Sequence, residues 1–348
     1  MADQAWLRKW LDWTDVNIST LRHTRLILGE PALGRADGSS AIVGDHGYIF
    51  LYNPNNRKVE VSFNLDSSIG LNRQGRFTLH ELYPLEGRLW GKPGAGMWRT
   101  GDRVTATLDG TSATVLSLAP AAAELTKPVL FNAPGSALLK DGHLALSDLR
   151  GEVGTEVPLG VLAPKDAGVE TVTVNGVAAK FQRGAEMVTV QVRFAGEPFS
   201  RSQQVGSYDP WFTGGIFRGE FRIPTRIKRQ LAARKEAWPI PWTEEDLQCS
   251  WLAPERLLLF VQMASPDPKM AVTLKINEAD LALQRAYASI RPNPRCFTGY
   301  YADVSSLEAD RTHKVELSLP TLEAGDFQGL FFDNVETEYT NGVVARGD

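Results

Sequence analysis

The hydrophobic pattern at the start of the chain predicts a long amphipathic helix. Apolar residues recur at helical spacing at Trp6, Trp10, Trp13 and Leu21, and the pattern continues for several residues more. Three tryptophans on one face need a large surface to lie against, and no later segment has the pattern of a helical layer that could receive them. We therefore expect residues 1–28 to form a helix that docks through this tryptophan face on another domain or subunit.

Alternating apolar and polar positions predict strands after this helix. Lys58–Phe63 alternates strictly, which is typical of a half-buried strand. The Gly, Ala, Asp and Ser content of Gly29–Gly44 indicates a connecting loop instead. The predicted strands are Gly47–Tyr52, Lys58–Leu65, Arg76–Leu82, Arg103–Leu108 and Ser112–Leu118. They predict an antiparallel sandwich over residues 29–123, and about 100 residues is the usual size of that architecture.

Two more blocks of short strand-like segments follow, over residues 124–206 and 207–348. In the first of them, Val174-Asn175-Gly176-Val177 predicts a tight hairpin, because Asn-Gly readily adopts the positive φ angles of a type I′ turn. Its predicted strands are His143–Leu146, Gly151–Pro158, Glu170–Val174, Val177–Phe181 and Met187–Phe194. The last block has a helical segment at Thr225–Ala237 and predicted strands at Arg256–Met263, Ala271–Ile276, His313–Leu319 and Gly329–Asn334.

The order of these elements predicts the fold class. Strands follow one another without a βαβ rhythm, which excludes a doubly wound parallel sheet. The prediction is an all-β protein of consecutive antiparallel β-sandwich or jelly-roll domains, with one N-terminal helix and a short helix near the middle.

Composition and charge narrow the classes of binding partner. The 348 residues suffice for two or three domains, and a formal net charge of −4 argues against nucleic acid or an anionic membrane as the main partner. No apolar run approaches the ~20 residues of a membrane-spanning helix, and no secretory signal is visible, so the compartment stays open. Cys249 and Cys296 lack the short spacing of a zinc site, and we expect free thiols.

Motifs of known catalytic centres are absent from the sequence. It has no Gly-x-Ser-x-Gly nucleophile elbow, no P-loop and no Gly-x-Gly-x-x-Gly after a strand. Glycoside hydrolysis needs two carboxylates about 5–10 Å apart. The first candidates in the third block are Asp209, Glu220, Glu244 and Asp333. Glu244 follows Thr243 in a segment typical of a capped helix start, which favours a structural role for it.

Aromatic residues in proline-rich loops are the better signal for function. Tyr208-Asp209-Pro210-Trp211 and Trp238-Pro239-Ile240-Pro241-Trp242 place large rings outside strand-interior spacing. Such rings stack on the apolar face of a sugar while neighbouring polar groups bind its hydroxyls. The candidate carbohydrate-binding residues are Tyr208, Asp209, Trp211, Trp238 and Trp242. The alternative is that these rings fix their loops to the sandwich or to a neighbouring domain.

The first 120 residues resemble the end of a retaining glycoside hydrolase of the α-galactosidase-like type. The resemblance rests on Trp10–Leu28, Arg35–Gly38, Gly47–Pro54, Leu79–Pro84 and Val115–Pro120. In that family a (β/α)₈ catalytic barrel ends in a helix and passes into an antiparallel sandwich. The resemblance implies a barrel domain or subunit as the partner of the N-terminal helix. No segment of this sequence matches the barrel strands that bear the catalytic carboxylates.

The third block resembles a galactose-binding-like jelly roll, the fold of many carbohydrate-binding modules. Phe217–Pro224 resembles its first strand and Leu330–Glu336 its last. Such modules often hold a structural calcium ion, and the resemblance implies Glu336 as one of its ligands.

Three functions stay open from the sequence. The leading hypothesis is the non-catalytic C-terminal portion, or an accessory subunit, of a glycoside hydrolase, with carbohydrate bound by the last jelly roll. The second is a complete glycoside hydrolase that uses carboxylates of the third block. The third is a structural spacer whose aromatic residues are buried at domain junctions.

Overall fold

A computed structural model describes residues 2–30, 34–165, 167–237, 255–287 and 296–345 of the chain. The prediction of an all-β fold is confirmed, because antiparallel sheets dominate the described residues. These residues hold two α-helices, α1 (Ala2–Leu21) and α2 (Thr225–Ala237), and one 3₁₀ turn at Ser67–Ile69. The strands pack around three large hydrophobic cores that follow one another along the chain. We refer to them as the first, second and third sandwiches.

The first sandwich packs a seven-stranded sheet against a two-stranded one. Its strands are β1 (Thr24–Leu26), β2 (Asp37–Val43), β3 (His46–Asn53), β4 (Val59–Asn64), β5 (Arg76–Tyr83), β6 (Leu89–Trp90), β7 (Trp98–Arg99), β8 (Arg103–Leu108) and β9 (Ser112–Pro120). The large sheet has the order β1-β2-β3-β9-β5-β6, with β7 also paired to β5, and the small sheet pairs β4 with β8. Alternate residues of β3 and β5, among them Leu51 and Phe77, fill the core.

The structure corrects the predictions for residues 22–44. Helix α1 ends earlier than predicted, at Leu21, and the chain then forms β1. The segment 29–44, predicted as a loop, contains the seven-residue strand β2. Its small residues allow close packing, since a Cβ on Gly38 would lie 2.8 Å from the carbonyl oxygen of Phe50. Small residues such as glycine, which sequence rules assign to loops, here allow two strands to pack closely.

Helix α1 lies on the outer face of the large sheet. The rings of Trp13 and Tyr48 have centroids 4.7 Å apart in edge-to-face geometry, and Trp10 packs on Tyr83 at 6.2 Å. The Tyr48 hydroxyl also donates a 2.6 Å hydrogen bond to Asn17 of the helix. Part of the tryptophan face therefore packs on the sheet of the same chain, and docking of this face on another domain or subunit stays a prediction. Aromatic residues on the sheet surface, not a second helix, form the receiving layer.

The second sandwich faces a five-stranded sheet with a four-stranded one. Its strands are β10 (Val129–Phe131), β11 (Ser136–Lys140), β12 (His143–Ser147), β13 (Gly151–Glu152), β14 (Glu156–Leu162), β15 (Thr171–Val174), β16 (Val177–Ala178), β17 (Phe181–Arg183) and β18 (Val188–Phe194). The predicted turn is confirmed, with φ angles of 50° at Asn175 and 80° at Gly176. The sequence pattern missed β10 and β11 and merged β13 with β14.

The third sandwich also has sheets of five and four strands. Its strands are β19 (Gln204–Val205), β20 (Gly215–Arg222), β21 (Leu258–Met263), β22 (Thr273–Ile276), β23 (Ala279–Leu281), β24 (Gln284–Tyr287), β25 (Phe297–Asp303), β26 (Thr312–Leu319) and β27 (Phe327–Asp333). The sheet orders are β19-β27-β21-β25-β24 and β20-β26-β22-β23. Helix α2 has its predicted bounds and buries Ile227 and Leu231 in the core. The sequence pattern missed β19, β23, β24 and β25.

The last described residues form a strap that returns to the second sandwich. In this C-terminal strap (residues 335–345), β28 (Tyr339–Thr340) pairs with β13 and β29 (Val343–Ala345) pairs with β18. Glu338 of the strap accepts hydrogen bonds from two side chains of α2. The strap therefore connects the second and third sandwiches.

Candidate binding cleft

A cleft of about 1120 Å³ lies where the three sandwiches meet. The first sandwich lines it with the ends of β3 and β5 and with the turn between β8 and β9, and the second with β13 and β14. Arg201, at the junction of the second and third sandwiches, and the strap complete the walls. A concave space that brings aromatic rings and polar groups together can hold a small ligand.

A buried carboxylate fixes part of one wall. Glu81 of β5 is fully buried and accepts hydrogen bonds of 2.6 Å from Arg88 Nε and Trp90 Nε1, and of 2.7 Å from the Leu85 amide. Its charge is therefore matched by a guanidinium and both its oxygens are occupied. The same contacts hold Arg88 over the Trp90 ring, with 5.8 Å between the guanidinium carbon and the centroid. Arg88 and Trp90, which line the cleft, are thus preformed parts of its wall.

Asp109 and Arg201 join the first sandwich to the other walls. Asp109 follows β8 and accepts hydrogen bonds from the Ser202 hydroxyl and, at 3.4 Å, from the Thr337 hydroxyl of the strap. Arg201 donates to the Thr111 hydroxyl and, at 3.2 Å, to a carbonyl oxygen of the strap. Both charged groups therefore already have protein partners, and these contacts hold the walls together.

Glu152 differs from the other charged residues that line the cleft. It lies in β13, and within the described part of the chain its carboxylate has neither a hydrogen-bond donor nor an ion-pair partner. Burial raises the pKa of Glu152, and the negative charge of Asp109 raises it further, against the opposing effects of Lys58, Arg88 and Arg226. Perturbed carboxyl groups in clefts are a mark of functional sites.

Tyr339 of the strap lies opposite Glu152. The two residues are register partners across β28 and β13, so their side chains project on the same face of the ribbon. Burial, followed by the negative charge of Glu81, raises the pKa of the Tyr339 hydroxyl well above its ordinary value. The hydroxyl therefore stays protonated and can donate a hydrogen bond. Arg150 covers one face of the ring, at 5.3 Å from the centroid.

The residues predicted to bind sugar lie outside this cleft. Trp211 is 77% exposed in the segment between β19 and β20, and its amide donates a 2.9 Å hydrogen bond to the Asp209 carboxylate. Tyr208 is half-buried. Trp238 and Trp242 fall outside the described residues. The Trp211 ring is thus accessible to a ligand, and a site shared with the other rings stays a prediction.

The carboxylates considered for a hydrolase do not line the cleft either. Asp209 and Glu220 are exposed, one in a loop and one on β20, and Asp333 is half-buried at the end of β27. Asp333 accepts a 2.9 Å hydrogen bond from the amide of Asn334. Glu244 falls outside the described residues. No acid pair from the three described members of this set stands across the cleft.

Glu336 is exposed at the rim of the cleft and forms a 3.1 Å ion pair with Arg234. In the part of the chain that the structure describes, no group of three or more His, Cys, Asp or Glu side chains could hold a metal ion. Calcium binding through Glu336 therefore stays a prediction. Cys296 is a free thiol, and Cys249 falls outside the described ranges. Across those ranges, no helix is long and apolar enough to cross a membrane.

The sequence interpretation missed the charged residues of the cleft. A strand beginning at Gly151 was predicted, but nothing in its pattern relates Glu152 to Tyr339 far along the chain. Asp109-Gly110 is a turn signal, and turn signals do not indicate which other segments a turn will meet. Only the pairing of strands brings these residues together.

Comparison with known proteins gives structural similarity to glycoside hydrolases. No protein-family model and no curated protein matches the sequence. The chain is similar to a β-porphyranase of glycoside hydrolase family 86 from Bacteroides plebeius, with 10% identity and a TM-score of 0.20, over 90% of this chain and 38% of that one. It is also similar to a rhamnosidase from Novosphingobium sp. PP1Y, with 11% identity and a TM-score of 0.18, over 91% of this chain and 26% of that one.

A third similar structure is a Bacillus halodurans C-125 protein, provisionally named an α-N-acetylgalactosaminidase. The identity is 13% and the TM-score 0.20, over 28% of this chain and 20% of that one. The chain thus spans less than half the length of each of these proteins. Similarity at this level assigns neither a fold nor an activity to this chain.

Proposed function

We propose that the protein is a non-catalytic, carbohydrate-binding part of a glycoside hydrolase, either its C-terminal portion or an accessory subunit. The cleft between the three sandwiches is its binding site. One observation supports this above all: the rings of Tyr52, Tyr83 and Trp90 line the same cleft as the amide of Asn132 and the carboxylate of Glu152. A sugar has apolar C–H faces and a rim of hydroxyls, which match rings and polar groups respectively.

Binding rather than turnover is favoured by the state of the carboxylates. A glycoside hydrolase needs one carboxyl as acid and a second as base or nucleophile. Asp109 is the carboxylate whose charge acts on Glu152, and it is engaged by the hydroxyls of Ser202 and Thr337. Glu336, at the rim of the cleft, is paired with Arg234. Those contacts favour a structural role for Asp109 and leave Glu152 to bind ligand hydroxyls.

The exposed Trp211 ring gives the third sandwich a contact of its own for a sugar. We infer that this ring contributes to the carbohydrate binding that the sequence predicts for the last jelly roll. Helix α1 keeps part of its tryptophan face accessible, since Trp6 is 53% exposed. That remaining surface is where a catalytic barrel domain or subunit would dock.

The experiment is a carbohydrate array paired with a glycosidase activity panel, run on the full chain and two variants. We expect binding without turnover, and Tyr52→Ala to weaken binding in the cleft by about tenfold, the equivalent of about 1.4 kcal/mol. Trp211→Ala tests the third sandwich in the same way. Leu138→Ala is the control, because Leu138 is an exposed apolar residue outside the cleft.

Each other outcome contradicts the proposal in a different way. Turnover that Glu152→Gln abolishes would make the protein a hydrolase with its centre in the cleft. Silence in both assays would favour a structural spacer. Binding that neither Tyr52→Ala nor Trp211→Ala weakens would place the site elsewhere in the chain.

A further inference from the structure

Acidic side chains outnumber basic ones among the residues that line the cleft. The lining has four carboxylates and two guanidinium groups: Asp109, Glu152, Glu156 and Glu336, and Arg88 and Arg201. These groups line a cavity of about 1120 Å³ together with tyrosine and tryptophan rings. Arg234, outside the lining, pairs with Glu336. Charge therefore bears on which carbohydrate this cavity accepts.

Both guanidinium groups already have acceptors within the protein. Arg88 is held by Glu81 at 2.6 Å, and Arg201 by the Thr111 hydroxyl and a strap carbonyl oxygen. A sugar that carries a carboxylate or sulfate would have to displace these contacts while approaching the acidic groups. Like-charge contacts of that kind are costly. The cleft therefore disfavours acidic carbohydrates.

The Glu152 carboxylate, unlike these guanidinium groups, has no hydrogen-bond donor and no ion-pair partner among the described residues. Of the charged groups around it, Asp109 acts against its ionised form, whereas Lys58, Arg88 and Arg226 favour it. Burial is the largest influence, and the balance is against the ionised form. A cation brought by a ligand would compensate this partly buried charge.

We propose that the cleft selects a carbohydrate with a free amino group, whose ammonium pairs with the carboxylate of Glu152 while the sugar ring packs on Tyr52 and Tyr83. This rests on the function proposed above, carbohydrate binding in the cleft. A metal ion explains the unpaired carboxylate less well, because the described residues hold no group of three or more metal-binding side chains. An ammonium needs one carboxylate and nearby hydrogen-bond acceptors.

The test compares sugars that differ at one position. Ligand-detected NMR titrations near neutral pH would use glucosamine, N-acetylglucosamine and glucose, and the corresponding three sugars of the galactose series. We expect an amino sugar to bind at least about tenfold more tightly than its neutral counterparts. Glu152→Gln is expected to remove that advantage, so that the amino sugar binds within about twofold of its neutral counterparts, which is a difference under 0.5 kcal/mol.

Glu60→Gln is the matched control, because Glu60 is an exposed carboxylate on β4 outside the cleft. Equal affinity for charged and neutral sugars, or a preference that survives in Glu152→Gln, would overturn the proposal and leave carbohydrate binding standing. An array on which the protein binds only neutral or acidic glycans would also overturn the proposal and leave carbohydrate binding standing. An array without any bound glycan, with no sugar bound in the titrations, would overturn the proposed function as well.

Discussion

At the scale of single residues, Glu152 stands where its own charge is unfavourable. Burial and Asp109 raise its pKa, so the folded protein binds this proton more tightly than the unfolded chain does. The resulting stabilisation is present at low pH and is lost as the pH rises through the raised pKa. We therefore expect Glu152→Gln to raise the Tm at neutral pH, and this gain over the wild type to disappear in acid. Calorimetric scans across that range would measure it.

The exposed Glu60 supplies the comparison for this stability effect as well. Glu60→Gln should leave the Tm and its pH dependence close to those of the wild type. A Glu152→Gln protein that is less stable than the wild type at neutral pH would show that the carboxylate has a stabilising partner. If Glu152→Gln raises the Tm and also weakens amino-sugar binding, Glu152 contributes to binding at a cost in stability.

Glu81 and Glu152 show what the sequence does not reveal about a residue. Both are glutamates in predicted strands, yet Glu81 is fully buried with three donors and Glu152 has none among the described residues. All three donors to Glu81, on Leu85, Arg88 and Trp90, lie within ten positions of it in the sequence. The charged residues around Glu152 lie at four separate positions, 58, 88, 109 and 226, and no local sequence pattern relates them to it.

At the scale of elements, helix α1 is the clearest case of a correct pattern with an incomplete interpretation. The tryptophan spacing predicted the helix and its apolar face, and the structure places Trp13 against Tyr48 of β3. The sheet surface was overlooked because Tyr48 and Phe50 occupy the outward positions of an alternating strand, which are usually solvated. The two-residue strands β6, β7, β19 and β28 were missed, and β13 and β16 were merged with the strands that follow them, because two residues cannot display a periodicity.

We expect Trp13→Ala to loosen helix α1 from the sheet. The ring is half-buried against Tyr48, so its loss should cost about 2 kcal/mol, below the range for fully buried tryptophans. Protection of the α1 amides in hydrogen-exchange mass spectrometry should then fall by about thirtyfold. Leu11→Ala is the control, because Leu11 is 56% exposed on the same helix and its loss should be within about 0.5 kcal/mol.

Two results would contradict this account of α1. Unchanged protection in Trp13→Ala would mean that the helix is held by contacts other than its tryptophan face. A larger effect for Leu11→Ala than for Trp13→Ala would mean that the opposite face is the packed one in solution. The second result would point to a partner on the Leu11 side of the helix.

At the scale of the whole molecule, the cleft exists because distant segments pair. The all-β class was predictable from alternation, since each sandwich has long strands with clear inward and outward positions. The location of the cleft was not predictable, because its walls depend on the pairing of β13 with β28 and on Arg201 and Ser202 reaching the β8–β9 turn. These contacts join parts of the chain that sequence reading assigned to different blocks.

The strap should therefore couple the second and third sandwiches in unfolding. Arg226 of α2 is largely buried and pairs with Glu338 at 2.8 Å, while the strap itself is hydrogen bonded to β13 and β18. Glu338→Ala leaves Arg226 without its carboxylate, and we expect a loss of about 2 kcal/mol, reduced from the range for fully buried pairs because Glu338 is partly exposed. Differential scanning calorimetry should show the unfolding of the two sandwiches becoming less cooperative.

Glu336→Ala is the control two positions away, since Glu336 is 71% exposed and its pair with Arg234 should contribute less than about 1 kcal/mol. Equal effects of the two substitutions would mean that strand pairing alone holds the strap, and the side chains of α2 would then have no part in fixing the third sandwich against the cleft.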